Sequence, residues 1–466
     1  MAESFNVIEK YKLRCAAVTP LHIGTGEGEQ GEILIHPVTD KPFVQASGIA
    51  GALRNVSDTI NGSDITDGLF GTSLREKSEN KKEVESRAKI CDGEFDASTL
   101  KLELRPRVSI DPKSGTVSAS TIGGSGRSSG HKFETEMIGR GAEFDVLIYL
   151  YHMSDDNYKT ALENVFSEIK AEHLQIGGQK SNGSGVLRLL SLKHISFDMR
   201  IPGDRKQWSK EQRMDEPGHQ GLPKYEDIFN KLPKVENPFK AYEIEVVGRT
   251  EGTLLVKAAS TMAFGKGAAD AENIRDSQGE YIIPGSSIKG AIRGRIRQLA
   301  NMMDKTGVVT YLMGKEQEDA GKGAKGIISV RDAIIGDQNS DVKTLLQHRI
   351  HIDKFTGGVI QTGLFTEESV SGKIVIQIDV ENQKEPDAAL GPLILTIRDL
   401  AAEAFNLGSG YSIGRGFIKV EKMHILSTRD GREAKIDFLK SEIQDDNELI
   451  STGLQAVSEW QEQNLE

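Results

Sequence analysis

The sequence predicts an α+β fold built from two tandem homologous halves, each with a ferredoxin-like βαββαβ core that carries insertions. Three observations support this prediction. The chain has 466 residues, more than one domain usually needs. Four motifs occur twice in the same order. Strand-like and helix-like patterns alternate without long parallel βαβ runs.

The internal repeat consists of four pairs of segments at nearly constant spacing. They are VTPLHIGTGEGE (18–29) with ASTMAFGKGAAD (259–270), VQASGIAGALR (44–54) with IPGSSIKGAIR (283–293), VSID (108–111) with IHID (350–353), and IGGQKSNGSGV (176–186) with LGSGYSIGRGF (407–417). A single glycine-rich match arises easily by chance, but four collinear matches do not. We therefore predict homologous halves at 1–198 and 241–427.

Two further segments complete the predicted organisation. Residues 199–240 are polar and hold five of the 13 prolines, the composition of a linker, although Trp208 and Tyr225 are candidate anchors to a domain. Residues 428–466 form an acidic C-terminal extension with a short helix predicted near 449–465.

The individual elements follow from local patterns. Segments 242–247, 373–380 and 417–425 are rich in β-branched residues and predict strands, whereas 156–171 and 394–405 predict helices. Another helix is predicted to begin at Ile288, with Ser286 or Ser287 as its N-cap.

This last helix carries a basic stripe. Lys289, Arg293 and Arg297 recur every four residues beside an apolar stripe. Cations in a first turn oppose the helix dipole, and no acids are spaced to pair with them. The pattern favours a track for a phosphate backbone, while an ordinary solvated basic face remains the alternative.

The two terminal glycine-rich loops are candidate phosphate-binding loops, because glycine lets backbone N–H groups approach an anion. Each follows a predicted helix, precedes a predicted strand and includes one basic residue. Neither matches the nucleotide P-loop pattern, and a tight turn without a ligand is an equally good reading. Their candidate residues are Gly177, Gly178, Lys180, Gly183 and Gly185 in the first half, and Gly408, Gly410, Gly414, Arg415 and Gly416 in the second.

Composition limits the function classes. The formal net charge is −11, which argues against a protein that is basic all over but not against a local basic track. There are only two cysteines, Cys15 and Cys91, and no Cys/His cluster, so we expect a reducing cytoplasm and no zinc site. No apolar run is long enough to span a bilayer, and the N-terminus does not resemble a secretory signal.

Taken together, these motifs resemble the RAMP superfamily, specifically the backbone subunits of type III CRISPR–Cas effector complexes, as a tandem fusion of two such subunits. The second half carries the resemblance best, in AFGKGAADAENIRD, YIIPGSSIKGAIRGRIR, HRIHIDKFTGGVIQTGLFTEESV and LGSGYSIGRGFIKV. The first half follows the same plan with changes: Gln45-Ala46 replaces Pro-Gly, and Ala50 replaces the lysine.

The resemblance implies RRM-like cores with a thumb-like hairpin, guide RNA held by each half, and other Cas subunits as partners. It also implies cleavage of target RNA paired to the guide. The family's catalytic aspartate corresponds to Asp270, with Mg²⁺ as the expected divalent metal and Asp270 as a possible ligand. Glu29 occupies the corresponding position in the first half, which implies an altered site there. The remaining candidate RNA contacts are Arg54, Ser47 and His22 in the first half, and Ser286 and Ser287 in the second.

Three functions stay open from the sequence. The first is a guide-RNA scaffold that also cuts target RNA at Asp270, acting as a base or as a metal ligand. The second is a non-catalytic RNA-binding scaffold with cleavage supplied by other subunits. The third is a β-rich enzyme or carbohydrate binder, which the small number of aromatic residues disfavours.

Overall fold

A computed structural model gives the fold. It describes all residues except 1–4, 26–31, 73–82, 109, 111–118, 122–127, 131, 212–223, 259–268, 316–322, 337–341, 446 and 461–466. The described residues form two hydrophobic cores, one in each half of the chain. No helix in the described part of the chain is both long enough and apolar enough to cross a membrane.

The described residues of the first half form three α-helices and ten strands. They are β1 (Val7–Ala17), β2 (Phe43–Val44), α1 (Ala46–Asn61), α2 (Ser63–Phe70), β3 (Ala88–Ile90), β4 (Gly93–Phe95), β5 (Leu102–Val108), β6 (Ala119–Thr121), β7 (Ser128–Gly130), β8 (Lys132–Ile138), β9 (Glu143–His152), α3 (Tyr158–Lys170) and β10 (Leu187–Asp198).

The segment between the halves packs on the first half. It contains α4 (Pro202–Glu211) and β11 (Glu226–Asp227), and β11 pairs with β10 at the sheet edge. The Trp208 ring lies edge-on to Tyr149 and Phe197, with ring centroids 5.8 and 5.3 Å away. These contacts hold the described parts of the predicted linker against the first sheet.

The second half repeats the plan and adds a C-terminal extension. Its elements are β12 (Lys240–Glu251), β13 (Ile282–Ile283), α5 (Gly285–Met302), α6 (Gly307–Met313), β14 (Gly314–Lys315), β15 (Ala324–Lys325), β16 (Ile328–Val330), β17 (Ala333–Ile334), β18 (Lys343–Ile352), β19 (Val359–Ser371), β20 (Lys373–Glu381), α7 (Leu390–Ala401), β21 (Phe417–Ser427), β22 (Glu433–Asp437), β23 (Glu442–Gln444) and α8 (Leu449–Glu459).

Both halves have the ferredoxin-like strand order. In the first sheet, β10, β1, β9 and the short strands β3 and β4 lie side by side; in the second sheet the order is β21, β12, β20 and β16. Central strands β1 and β12 are antiparallel to both neighbours. Each also has a register shift at an equivalent point, between Arg14 and Cys15 and between Val247 and Gly248. The α+β fold class predicted from the sequence is therefore confirmed.

Pairings between elements define which residues correspond. Leu21 bridges Ile138 in the first half, and Leu254 bridges Val370 in the second. Leu21 thus corresponds to Leu254, and Gly24 to Lys257 rather than to Gly265. The sequence alignment of the first glycine motif was wrong at this point, because the second half has extra residues after the first bridge. The other three aligned pairs agree with the observed elements.

A long β-hairpin extends from each core: β5 with β8 in the first half and β18 with β19 in the second. The second hairpin exposes many apolar side chains, among them Phe355, which is 94% exposed. The others are Leu345, Leu346, Ile350, Ile352, Val359, Ile360 and Leu364. An apolar surface of this extent usually marks an interaction site.

Several polar contacts connect the halves at the root of the first hairpin. Arg140 forms an ion pair with Asp276. The Ser277 backbone N–H donates to Glu103 Oε1 at 2.7 Å. Arg105 is 3.0 Å from an oxygen of Asp332. The Asp276 and Arg105 side chains are buried, so these contacts belong to a closed junction.

Candidate nucleic-acid interface

Helix α5 begins immediately after a short strand, β13. Pro284 is its N-cap, and its own side chain makes no cap hydrogen bond. The Gly285 backbone N–H instead donates to Asp332 Oδ1 at 2.7 Å. The predicted cap at Ser286 or Ser287 was therefore wrong: both serines lie half-buried within the first turn, where Asp332 takes over the capping role.

Lys289 does not lie on an exposed track. Its side chain is 7% exposed, and its ammonium donates to the carbonyls of Ile328 at 2.9 Å and Ser181 at 3.2 Å. Burial, together with the charge of Arg293, lowers the pKa of Lys289 to about 8. Because Ser181 lies in the first half, Lys289 connects the halves; it does not lie on a solvated basic face, and its RNA contact stays a prediction.

Arg54 and Arg293 have equivalent structural contacts. Arg54 donates to the carbonyl of Gly71 and is 2.5 Å from Asp67. Arg293 donates to the carbonyl of Gly314 at 3.4 Å. Gly71 and Gly314 end the following short helices with φ of 81° and 84°. Each arginine thus holds its own helix against the C-terminal end of the short helix that follows. The basic pattern in the sequence did not reveal this role.

The basic face of α5 has one remaining candidate for phosphate contact. Arg295 forms an ion pair with Asp399 on α7 at 2.7 Å. Arg297 is half-buried and forms no ion pair or side-chain hydrogen bond with any residue that the structure describes. At the equivalent start of α1, Ser47 is exposed. Arg297 and Ser47 therefore keep their predicted availability to a ligand.

The terminal glycine loops have the same backbone in both halves. Each encloses one turn of 3-10 helix, Lys180–Asn182 or Tyr411–Ile413. Gly183 and Gly414 follow these turns with φ of 75° and 76°, in the left-handed region that glycine tolerates best. The remaining left-handed glycines of the two loops are Gly177, Gly185, Gly408, Gly410 and Gly416, whereas Gly178 is not among them.

The surroundings of the two loops differ. In the first half the loop packs against α5 and β16: the Lys180 carbonyl accepts from Ser329 Oγ at 3.1 Å. A Cβ on Gly183 would lie 2.6 Å from the Arg331 Cα. In the second half Tyr411 and Ile413 are 57% and 47% exposed. The first loop thus forms the joint between the halves, while the second faces solvent.

Arg415 is buried in an ion network. It is 5% exposed and contacts Glu367 at 2.7 Å as well as Gln347. Arg349 also contacts Glu367, at 3.1 Å. Burial of Glu367 opposes its charge, but hydrogen bonds from Arg415 and Arg349 outweigh burial and lower its pKa. Arg415 therefore braces the second hairpin against the glycine loop, and the sequence prediction of a phosphate-facing Arg415 is corrected.

Asp270 is exposed at the root of the second hairpin. The Thr366 backbone N–H on β19 donates to Asp270 Oδ2 at 2.6 Å. His348 contacts the same threonine, with its Nδ1 3.1 Å from Thr366 Oγ1. One carboxylate oxygen is thus held by the hairpin and the other is left for a ligand. Glu29, the first-half candidate, lies outside the described residues.

His22 lies beside a pocket of the first half. Its carbonyl accepts from the Gly178 N–H at 2.8 Å. A cavity of about 340 Å³ is lined by His22, Ile23, Gly24, Val44, Gln45, Gly48, Ile176, Gly177 and Gly178. The structure therefore brings His22 and the terminal glycine-rich loop of the first half to the start of α1. These three motifs were predicted separately from the sequence.

Comparison with known proteins identifies the family. The RAMP superfamily model matches residues 14–188 and 255–419, one region in each half and most of the chain. The chain belongs to the RAMP superfamily. No curated protein matches it.

Membership of the RAMP superfamily makes this a CRISPR-associated RNA-binding protein that acts in a multisubunit Cas complex. The two matched regions agree with the two ferredoxin-like cores, so this is a tandem two-RAMP protein. The predicted family resemblance is confirmed at this level.

Sequence reasoning missed several polar residues on the RAMP hairpins. They are Arg105, Arg107, Gln347, His348 and Arg349. A signal was available: extending the VSID and IHID match four residues towards the N-terminus aligns LRPRVSID with LQHRIHID. This extension aligns Arg107 with Arg349. It shows that the hairpin roots of the two halves have polar residues at equivalent positions.

Proposed function

We propose that this protein is a guide-RNA-binding backbone subunit of a type III CRISPR–Cas ribonucleoprotein. In this proposal the second half also cuts target RNA paired to the guide, at Asp270. The single observation that supports cleavage is the position of Asp270: an exposed carboxylate fixed by Thr366 at the root of a hairpin with a large apolar surface.

The hairpin suits a paired strand. Its exposed aliphatic side chains and Phe355 offer surfaces for base faces, which stack well on apolar groups and aromatic rings. Arg297 and the start of α1 supply polar contacts for the sugar–phosphate backbone. Cleavage of RNA needs in-line placement of the 2′-OH and a group that removes its proton.

The chain's own residues provide two proton-handling groups near Thr366. Thr366 holds Asp270 Oδ2, so Oδ1 is the oxygen that accepts a proton or a ligand. His348 stands beside the same threonine and is exposed. In the proposed reaction Asp270 orients the attacking hydroxyl and takes its proton.

The residues present also fit Mg²⁺, the expected metal. No group of three His, Cys, Asp or Glu side chains suited to metal binding occurs among the described residues. Mg²⁺ is often held by one or two carboxylates together with waters and substrate phosphates, which matches the single carboxylate of Asp270. When bound, the ion would stabilise negative charge on the phosphate.

The test is co-expression with neighbouring genes, sequencing of the bound RNA and a cleavage assay on complementary RNA with Mg²⁺. Asp270→Asn should lower the cleavage rate at one position by about 100-fold or more, the range of a lost acid–base group, without lowering guide-RNA retention. Asp430→Asn, at an exposed aspartate of the same half, is the control and should leave cutting unchanged.

The second candidate is a non-catalytic scaffold with cleavage supplied by other subunits. It is favoured by the absence of a multi-carboxylate cluster in the described part of the chain. Unchanged cutting by the Asp270→Asn complex would support this scaffold and exclude the catalytic role.

A further inference from the structure

The junction between the halves contains an arginine that forms no ion pair with the described acids, although the charge of Asp332 acts on it. Arg107 lies on β5 at the root of the first hairpin. Its Nε is buried and has no hydrogen-bond partner among the described residues, and no described acid forms an ion pair with it. Burial and the neighbouring charge of Arg105 lower the pKa of Arg107 to about 10. A guanidinium in this position is costly unless an anion accompanies it.

The second half shows how such an arginine is normally balanced. Arg349 occupies the position of Arg107 and contacts Glu367 at 3.1 Å, and Glu367 also pairs with Arg415. In the first half the strand pairing places Thr135 at the position of Glu367, and Ser184 at the position of Arg415. The first half has therefore kept the arginine and lacks the carboxylate.

Asp332, the acid whose charge acts on Arg107, already has other partners. Arg105 lies two residues away and forms ion pairs with Glu103 and with Asp332 at 3.0 Å. Asp332 also accepts the Gly285 N–H at the start of α5. The carboxylates of Glu103 and Asp332 therefore already bind Arg105 and the N-terminal end of α5.

Arg107 opens into a narrow cleft to which both halves contribute. The cleft has a volume of about 20 Å³ and is lined by Pro20, Arg105, Pro106, Arg107, Met137, Asn182, Ser184, Pro284, Ser286 and Asp332. Asn182, Ser184 and Ser286 add amide and hydroxyl donors. A cleft of this size admits an atom the size of a water oxygen, so one oxygen of a larger anion fits while the rest stays at the mouth.

We propose that Arg107, with Asn182 and Ser286, binds one phosphate of the guide RNA where the strand passes from the first half to the second. This inference rests on the proposed function, because it takes the RNA strand to be the ligand. It assigns the guide a contact that neither half can make alone, since Arg107 and Asn182 come from the first half and Ser286 from the second.

The test uses the full chain and a 5′-labelled single-stranded oligouridine long enough to span both halves. Binding is measured by fluorescence anisotropy over a series of salt concentrations. Arg107→Gln should weaken binding by about 3- to 10-fold and reduce the slope of log K against log salt by about 0.7, the loss of one phosphate contact. Arg107→Lys should retain most of the slope. Arg188→Gln, at an exposed arginine on β10, is the control and should match the wild type.

Thermal unfolding without RNA separates a ligand-binding role from a structural one. Arg107→Gln should unfold at the same temperature as the wild type or higher, because it removes a buried charge that has no partner. A lower melting temperature, with a loss of RNA affinity no larger than the loss of folded protein explains, would mean that Arg107 stabilises the fold. This result would overturn the inference.

The remaining outcomes distinguish the two proposals. If the wild type binds RNA and Arg107→Gln binds equally with the same salt slope, the junction site is excluded and the proposed function stands. If the wild type binds no RNA, both are excluded. If millimolar inorganic phosphate raises the melting temperature of the wild type alone while RNA affinities are equal, the cleft binds free phosphate and the assignment to RNA is wrong.

Discussion

The two halves share one fold but use equivalent positions for different purposes. The terminal glycine loop of the first half is closed against α5, whereas that of the second half is open to solvent. The hairpin root of the second half has a closed ion network, whereas that of the first half has an arginine, Arg107, with no ion pair to a described acid. After duplication, each half thus has one of these two surfaces closed by protein contacts and the other open to a ligand. Equivalent positions in the two halves can therefore serve as controls for one another.

A third contrast lies on the central strands. Glu9 on β1 and Tyr242 on β12 occupy the same position relative to the register shifts. Glu9 contacts His194 at 2.5 Å and His152 at 3.4 Å, whereas the Tyr242 hydroxyl contacts Asp387 and Arg429. Only the first of these clusters contains histidine, the residue type whose ordinary pKa lies closest to neutral pH.

Each half can be followed separately because the chain has two tryptophans. Trp208 packs on Tyr149 and Phe197 of the first half, and Trp460 lies in the core of the second. Variants Trp460→Phe and Trp208→Phe therefore report on the first and second halves by fluorescence.

The largest effect is expected at Glu367. Glu367→Gln removes the charge that Arg415 and Arg349 share and should lower the free energy of unfolding of the second half by about 3 kcal/mol. Urea unfolding followed through Trp460 measures this loss. Thr135→Val, at the equivalent first-half position, is the control and should change stability by less than about 1 kcal/mol. Equal losses at the two positions would contradict the contrast between the hairpin roots.

The next effect compares Gly183→Ala with Gly414→Ala. Both glycines have left-handed φ, which costs alanine about 1 kcal/mol. A Cβ at Gly183 would also meet Arg331 Cα at 2.6 Å and Val330 O at 2.8 Å, while one at Gly414 meets nothing within 4 Å. Gly183→Ala should lower the free energy of unfolding roughly twice as much as Gly414→Ala, or more. It should also separate the unfolding transitions of the halves. A single shared transition in Gly183→Ala would show that the loop is not essential to the joint.

A smaller effect concerns pH. Burial opposes the charge on Glu9, but hydrogen bonds from His152 and His194 outweigh it and lower the pKa of Glu9. Burial likewise opposes the charge on His152, but its bonds to Glu9 and Asp156 raise its pKa above 6.5. The stabilisation from charged His152 is present below pH 6.5 and is lost as pH rises through the raised pKa.

The first half should therefore lose stability as pH rises from 6.5 through the raised pKa of His152. Glu9→Gln should reduce this loss. Urea unfolding followed through Trp208 at several pH values checks both statements. An unchanged pH dependence in Glu9→Gln would assign the effect to other groups.

The smallest effect separates two arginines on α5. Arg297→Gln should weaken oligouridine binding by about 3-fold without changing stability, since it removes one half-buried cation that forms no ion pair or side-chain hydrogen bond with a described residue. Arg293→Gln should instead cost about 1 kcal/mol of stability through the lost contact to the Gly314 carbonyl. The reverse result would restore the basic track as the sequence first indicated it.

These contrasts show which properties local sequence could predict. The repeat, the glycine loops and α5 follow from short-range patterns, although α5 begins at Gly285 rather than at the predicted Ile288 and the first glycine motif is aligned differently. The role of Lys289 was not predictable, because its acceptors Ser181 and Ile328 lie far away in sequence. Arg415 was misread for the same reason, since Glu367 and Gln347 belong to the hairpin. Asp270 was proposed only through the family resemblance, and its chemistry remains a prediction.

The contact between the halves involves unlike surfaces: the glycine loop of the first half packs against the start of α5 in the second. Such a contact is not self-complementary, so the molecule has a direction: the open loop with Tyr411 lies at one end, and the uncovered start of α1 with Ser47 lies at the other. Nucleic acid strands also have a direction. The chain can therefore match the polarity of a strand that runs along it, an ability that a symmetric dimer of the same domain would lack.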